Sequence, residues 1–269
     1  MRSALNQEEE PSAPLFSSSE TPPISVREGY ARWAVTYDRT PNPLLAREER
    51  YLSNLLPPLQ HRRVIDLACG TGRWLQKLES QKPAVCLGID LSDAMLEAAS
   101  MKSKHLACAD CLQLPFASNA FDLAICSFAL SHIPDLPSLA SELSRVTNLQ
   151  ADVFISDLHP EARALGWRTS FRGIHGSTQI EIQPHSQDAI LQAFHCAGFK
   201  CLKHETLFLG DAEKSIFNLA GKGHLFTVAS GVPAILVCHF RRLGGPVFPG
   251  NDSGQECTGS RSELRVGTS

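Results

Sequence analysis

Long apolar runs are missing from this 269-residue chain. None approaches the roughly 18–20 residues that a membrane-spanning helix needs, so no membrane span is expected. A basic excess is missing too. The 25 Lys and Arg stand against 28 Asp and Glu, for a formal net charge of −3. That disfavours general nucleic-acid binding and leaves only a local basic patch open. The opening stretch MRSALNQEEEPSAPLF has no continuous apolar segment and carries a Glu triplet, so no secretory leader is expected. No internal repeat is visible. The nine cysteines are an odd number, and several lie inside apolar runs. They read as reduced, buried thiols of a cytoplasmic protein, not as a disulfide framework. What the chain does have is 43% apolar residues, enough to bury a core.

Residues 1–25 are rich in Ser, Pro and Glu and read as a disordered tail, as do residues 243–269. Between them, 26–242 reads as one domain. Short apolar runs alternate with helix-compatible segments. RRVIDLAC is followed by TGRWLQKLESQ, AVCLGID by SDAMLEAASMK, and FDLAICSFAL by LPSLASELSRVTN. HLACAD and ADVFISD add two more apolar runs. Buried strands alternating with helices predict a parallel sheet covered on both faces. Later, SQDAILQAFHCAGF predicts a helix closed by Gly198, while KCLKHETLFL and AILVCHFRR predict an antiparallel strand pair. Residues 158–184 fit neither period and read as an insertion beyond a strand end, where such sheets place ligands.

The stretch Val64-Ile65-Asp66-Leu67-Ala68-Cys69-Gly70-Thr71-Gly72 carries the chemistry. A buried strand ends in a glycine turn that opens a helix, so backbone N–H groups face a polar ligand without a Cβ in the way. Eighteen residues beyond Gly72, the next strand ends in Asp90, whose carboxylate suits a ribose diol. Asp110 follows the third strand and suits an exocyclic amine. Three successive strand tips thus describe a nucleoside site. The dinucleotide fingerprint G-x-G-x-x-G lacks its third glycine here, because Arg73, Trp74 and Leu75 follow Gly72, and a phosphate-binding P-loop is absent.

The tract DLACGTG resembles motif I of the class I S-adenosylmethionine-dependent methyltransferases. The resemblance runs on through LGIDLSDAMLEAA, ADCLQLPFASNAFDLAICSFALSHIPD and ADVFISD, over about residues 27–240. It is strongest toward the small-molecule branch with ubiquinone/menaquinone C-methyltransferases and malonyl-carrier-protein O-methyltransferases. It implies an α/β, Rossmann-like, doubly wound seven-stranded sheet, mostly parallel with an antiparallel last strand, and S-adenosyl-L-methionine as cofactor. It also implies that Asp66, Ala68, Gly70 and Gly72 serve the methionine end, with Ser127 and Phe128 beside it. Asp90 would hold the ribose, and Leu91, Met95, Asp110 and Cys111 would bound the adenine. The early segment YARWAVTYD resembles a capping helix, on which Tyr30 and Tyr37, seven apart, would share one face. They either contact the cofactor or anchor that helix.

Candidate bases for the acceptor are His132, Asp157 and His159; His175 and His185 read as solvated or structural. In the insertion, Trp167, Arg168, Phe171 and Arg172 either wall a substrate and bind its carboxylate or phosphate, or supply core anchors of a short helix. Cys108 and Cys111 form a C-x-x-C pair, but no second pair with zinc spacing follows, so no metal is expected. No D/N-P-P-Y/F tetrapeptide follows the fourth strand, where SFAL stands, and this argues against base-amine or glutamine substrates. The reading is a methyltransferase acting on a small molecule or carrier-bound acyl group, with oxygen favoured over carbon. The competing readings are a non-catalytic cofactor-binding partner or sensor, and a nicotinamide oxidoreductase. Oligomeric state is left open.

Overall fold

The computed structural model describes residues 22–173 and 176–244. The two expected tails fall largely outside this range, and so does His175. The chain runs α1 (Val26–Trp33), a 3-10 turn (Tyr37–Arg39), α2 (Pro43–Leu55), β1 (Arg63–Leu67), α3 (Arg73–Ser80), β2 (Val85–Asp90) and α4 (Asp93–Ala99). It continues β3 (Leu106–Cys108), β4 (Phe121–Ser127), α5 (Leu136–Val146), β5 (Thr147–Leu158), α6 (Pro160–Ala164), β6 (Ser170–Gly173) and β7 (Gly176–Gln179). It closes with α7 (Gln187–Cys196), β8 (Phe199–Leu207), α8 (Asp211–Leu219), α9 (Phe226–Ser230) and β9 (Ile235–Arg242). Among the described residues no helix is long and apolar enough to cross a membrane.

Seven strands form one sheet in the order β3-β2-β1-β4-β5-β9-β8. The β3, β2, β1, β4 and β5 pairings are parallel. β9 enters antiparallel between β5 and β8, as expected for the last strand. The strand order reverses between β1 and β4, so a crevice opens at their carboxyl ends. β8 is one free edge of the sheet, with a register shift between Cys201 and Lys203, and three-residue β3 is the other.

Alternation along the strands builds two cores. Ile65, Leu67, Ala124, Cys126, Val153 and Ile155 face α5 and α7. Val64, Leu123, Ile125 and Phe154 face α2, α3, α8 and α9. The same parity puts Asp66, Ser127 and Ser156 on the second face, at its carboxyl end, so that face turns polar where the crevice begins. A third, smaller cluster of Trp33, Phe171 and Ile180 joins α1 to the β6–β7 hairpin. That hairpin, with α6, occupies the expected insertion. Ile24 bridges to Ile180, tying the start of the described chain to it.

Two local expectations are corrected. α1 stops at Trp33, and Tyr37 lies in the following 3-10 turn, so the two tyrosines do not share a helix face. The turn is held separately, because Asp38 accepts hydrogen bonds from Thr71 Oγ1 at 2.6 Å and Lys102 Nζ at 2.6 Å. Trp167 and Phe171 do not build a short helix. Phe171 lies on β6, where pairing with β7 wins, and its ring stacks on Trp33 at 5.4 Å.

Asp152 holds β5 to β9 and to Arg62, the residue before β1. It is buried and bonds to Arg62 at 3.0 Å, Arg241 at 2.6 Å and His239 at 2.8 Å. Burial alone would raise its pKa, but these hydrogen bonds, led by His239, hold it down to about 2. A carboxylate depressed by folding contributes stability above its unfolded pKa of about 4 and loses it as pH falls further. Asp152→Ala should therefore cost about 3–5 kcal/mol in urea unfolding at neutral pH. The cost should shrink as pH is lowered from about 4 toward 2.

Candidate active site

A cavity of about 330 Å³ sits at the crevice between β1 and β4. The strand tips line it with Ala68 and Gly70, Ile89, Asp90 and Leu91, Ala109, Asp110 and Cys111, and Ser127 and Phe128. Ser92 and Met95 of the α4 start, Tyr30 and Tyr37 of the cover, and His132, Ile133 and Pro134 of the loop after β4 complete the wall. A larger, open groove of about 810 Å³ lies between α7 and β8, away from the strand tips.

The strand tips are bent into unusual backbone. Ala68 and Phe128 have φ of 50° and 53°, left-handed conformations that non-glycine residues rarely adopt and that concentrate at functional sites. Gly70 has φ +55°, and a Cβ there would meet nothing within 4 Å, which leaves the backbone open to a ligand. Gly72 differs. It lies outside the cavity wall, at the N-cap of α3, and a Cβ would meet Ala99 at 3.3 Å. The missing side chain lets α3 pack close to α4.

Asp90 Oδ2 accepts the Gly70 amide at 2.8 Å and Oδ1 accepts the Ser92 amide at 2.8 Å. Ser92, not Asp90, caps α4 through Met95 N. Burial raises the Asp90 pKa against the pull of those amides. Each carboxylate oxygen keeps a lone pair for a ribose hydroxyl. Asp110 is exposed at the rim, with Oδ1 accepting from Leu112 N at 2.9 Å. Burial pushes the Cys111 thiol up to about 12, so it lines the wall as a neutral group.

Asp66 lies outside the cavity wall, buried on the polar face. Its Oδ2 has no hydrogen-bond partner among the described residues, and burial raises its pKa well above the ordinary range. A buried carboxyl in this state is held neutral, and an approaching cation would favour its charged form. A cofactor with a methionine ammonium and a sulfonium brings that charge. The open backbone at Gly70, the diol acceptor Asp90 and the incomplete Asp66 therefore fit S-adenosylmethionine.

Of the three candidate bases, only His132 reaches the cavity. Its Nδ1 lies 3.2 Å from the Glu181 carbonyl, which can only accept, so this nitrogen carries the proton. Nε2 is then free to accept from Tyr30 Oη at 2.9 Å. Burial lowers the His132 pKa, partly opposed by Asp157, and Arg163 lowers it further; burial raises that of Tyr30 well above its usual value. The pair is a neutral imidazole beside a protonated phenol. Asp157 is instead spent on the Ser131 amide at 2.7 Å and on Arg163 at 3.0 Å. His159 caps α6 through Glu161 N and faces Thr206 Oγ1 at 3.3 Å. His185 is tied to the Ile133 carbonyl at 2.8 Å. Trp167, Arg168 and Arg172 are not brought to the cavity. Trp167 is in the core facing α2 and α3, Arg168 donates to the carbonyls of Arg163 and Trp167, and Arg172 is exposed on the hairpin.

Beneath the cavity lies a network that the sequence reading missed. Glu48 is fully buried. It accepts from Ser127 at 2.8 Å, Ser156 at 2.7 Å and Arg73 at 2.9 Å. The signal was available. Glu48 sits four residues from both Leu44 and Leu52, on the apolar stripe of α2.

A family profile described as a methyltransferase domain matches residues 65–155. The 2-phytyl-1,4-naphtoquinone methyltransferase of Synechococcus elongatus is 31% identical over 179 residues, covering 55% of this chain and 75% of that protein. The malonyl-acyl-carrier-protein O-methyltransferase of Halorhodospira halophila is 34% identical over 145 residues, covering 51% of this chain and 48% of that one. A crystal structure of an S-adenosylmethionine-dependent methyltransferase from Mesorhizobium loti shares the fold. Its TM-score is 0.60 at 22% identity, over 75% of this chain and all of that one. The chain belongs to the class I S-adenosylmethionine-dependent methyltransferases, and S-adenosyl-L-methionine is its cofactor.

Two outcomes test the cofactor side. Asp90→Ala should weaken S-adenosylhomocysteine binding at least tenfold by calorimetry, about 1.4 kcal/mol or more. An acid whose pKa is raised by folding loses stability as pH rises past its unfolded value. Thermal melting of the cofactor-free protein from pH 5 to 8 should thus show wild type losing ground to Asp66→Asn as pH rises.

Proposed function

We propose that the enzyme methylates an oxygen of a small molecule or carrier-bound acyl group, with a hydroxyl as acceptor. The observation that carries this reading is the Tyr30–His132 pair on the cavity wall. When bound, the cofactor supplies a methyl group already activated on a sulfonium, which leaves sulfur as a neutral thioether. The chain's own work is then to align the acceptor and to take its proton. The acceptor hydroxyl hands its proton to Tyr30 Oη, and Tyr30 passes its own to His132 Nε2. The Glu181 carbonyl holds the ring for this by its bond to Nδ1. Tyr37 and Phe128 give the wall an apolar surface against which the acceptor excludes water.

The names of two relatives cover both acceptor classes. One is named for a naphthoquinone and one for a malonyl carrier protein. The quinone name keeps a carbon acceptor as the second reading, since an acidic carbon would give its proton to the same pair. The elements of the site and its cover run from Val26 to Arg242, and we take 26–242 as the catalytic unit. The free thiols of the described cysteines suit the reducing cytoplasm.

A base must be unprotonated to act. Because the His132 pKa lies below the ordinary histidine value, turnover should be flat through neutral pH and fall only on the acid side of about 6.5. His132→Asn should lower kcat by about 10²–10⁴-fold with S-adenosylhomocysteine binding retained. It should also abolish the acid limb. A variant that keeps that limb assigns the proton to another group.

A further inference from the structure

The cofactor cavity leaves one buried arginine unexplained. Arg163 of α6 is 7% exposed. Its Nη2 donates to Asp157 at 3.0 Å and to Ser131 Oγ at 2.7 Å. Its Nη1 is buried and has no hydrogen-bond partner among the described residues. A second buried donor, Trp33 Nε1, is in the same condition.

Both donors belong to the surroundings of the Tyr30–His132 pair. Asp157 also accepts the Ser131 amide at 2.7 Å, so Arg163, Asp157 and the loop that carries His132 form one hydrogen-bonded block. Trp33 stacks on the Tyr30 ring at 5.9 Å. As it stands, Arg163 balances Asp157. Bound cofactor adds one positive charge on sulfur. An incoming carboxylate balances that charge, and its planar oxygens suit the vacant edge of a guanidinium. Buried donors without partners are otherwise rare in folded proteins.

We propose that Arg163 Nη1 anchors a carboxylate on the acceptor, with Trp33 Nε1 as a second donor, and that the acceptor is a hydroxy-carboxylate whose hydroxyl meets Tyr30 and His132. This rests on the oxygen-methylation reading above. The acceptor reaches the anchor by displacing the β6–β7 hairpin, with Tyr30 and Trp33 of α1 left in place. The hairpin packs on α1 through a small cluster centred on Trp33, Phe171 and Ile180, apart from both main cores. The arginines singled out by sequence, Arg168 and Arg172, lie in the same insertion, but it is Arg163 that is buried beside the candidate base.

The test uses protein saturated with S-adenosylhomocysteine and three probes, 2-, 3- and 4-hydroxybenzoate, each paired with its amide. Calorimetry should give at least one acid binding tenfold or more tighter than its amide. Arg163→Lys should bring that ratio near one while leaving S-adenosylhomocysteine affinity within twofold. The charge-removing double variant Arg163→Met/Asp157→Asn should lose the preference equally, and it replaces the single variant if that one fails to fold. No acid favoured over its amide, or a preference that survives both variants, overturns the anchor. Methyl ether formed from acids and amides alike overturns the anchor and leaves the oxygen reading standing. Acids bound with the stated preference but giving no methyl ether with S-adenosylmethionine support the anchor and overturn the oxygen reading.

Discussion

The site depends on one carboxyl group. Glu48 of α2 is buried against the carboxyl ends of β4 and β5 and receives hydrogen bonds from Ser127, Ser156, Arg73 and the Trp74 indole. Two helices and two strands thus meet at a single side chain. In a low-dielectric interior such a network stiffens everything it joins, and removing one member strands the rest. Ser127 is both a member of the network and part of the cavity wall, and Arg73 opens the helix that follows the glycine turn. The fixed position of the β4 tip relative to that turn, on which in-line alignment depends, traces back to Glu48.

The sheet and the cofactor side were legible because their signals are local. Each strand ends where its apolar run ends, and the residues at or just past its tip face the crevice. Ala68, Gly70, Asp90, Cys111 and Ser127 lie at or within three residues of a strand end and line the cavity, and Met95 joins them from α4. The exceptions are instructive. Asp66 and Gly72 belong to the same motif yet serve below and beside the cavity. Strand parity sends Asp66 to the α2 face, and close helix packing claims Gly72.

The acceptor side was poorly legible because its parts are far apart in the chain. Tyr30 and His132 are separated by 102 positions, and His132 is oriented by Glu181. No periodicity links such residues. The insertion misled for a similar reason. Phe171 has helical spacing from Trp167, but long-range stacking on Trp33 and pairing with β7 decide its conformation. Arg163 carries no sequence signal that sets it apart from Arg168 or Arg172. Only burial distinguishes the three.

The two free edges of the sheet also constrain the molecule's company. β3 is three residues long, too short to template another strand. β8 is long, but it breaks register between Cys201 and Lys203 and carries Lys200, Lys203 and Glu205 along its length. A bulge and a row of charges oppose edge-to-edge addition of a second chain. Growth of the seven-stranded sheet is thereby disfavoured at both of its edges.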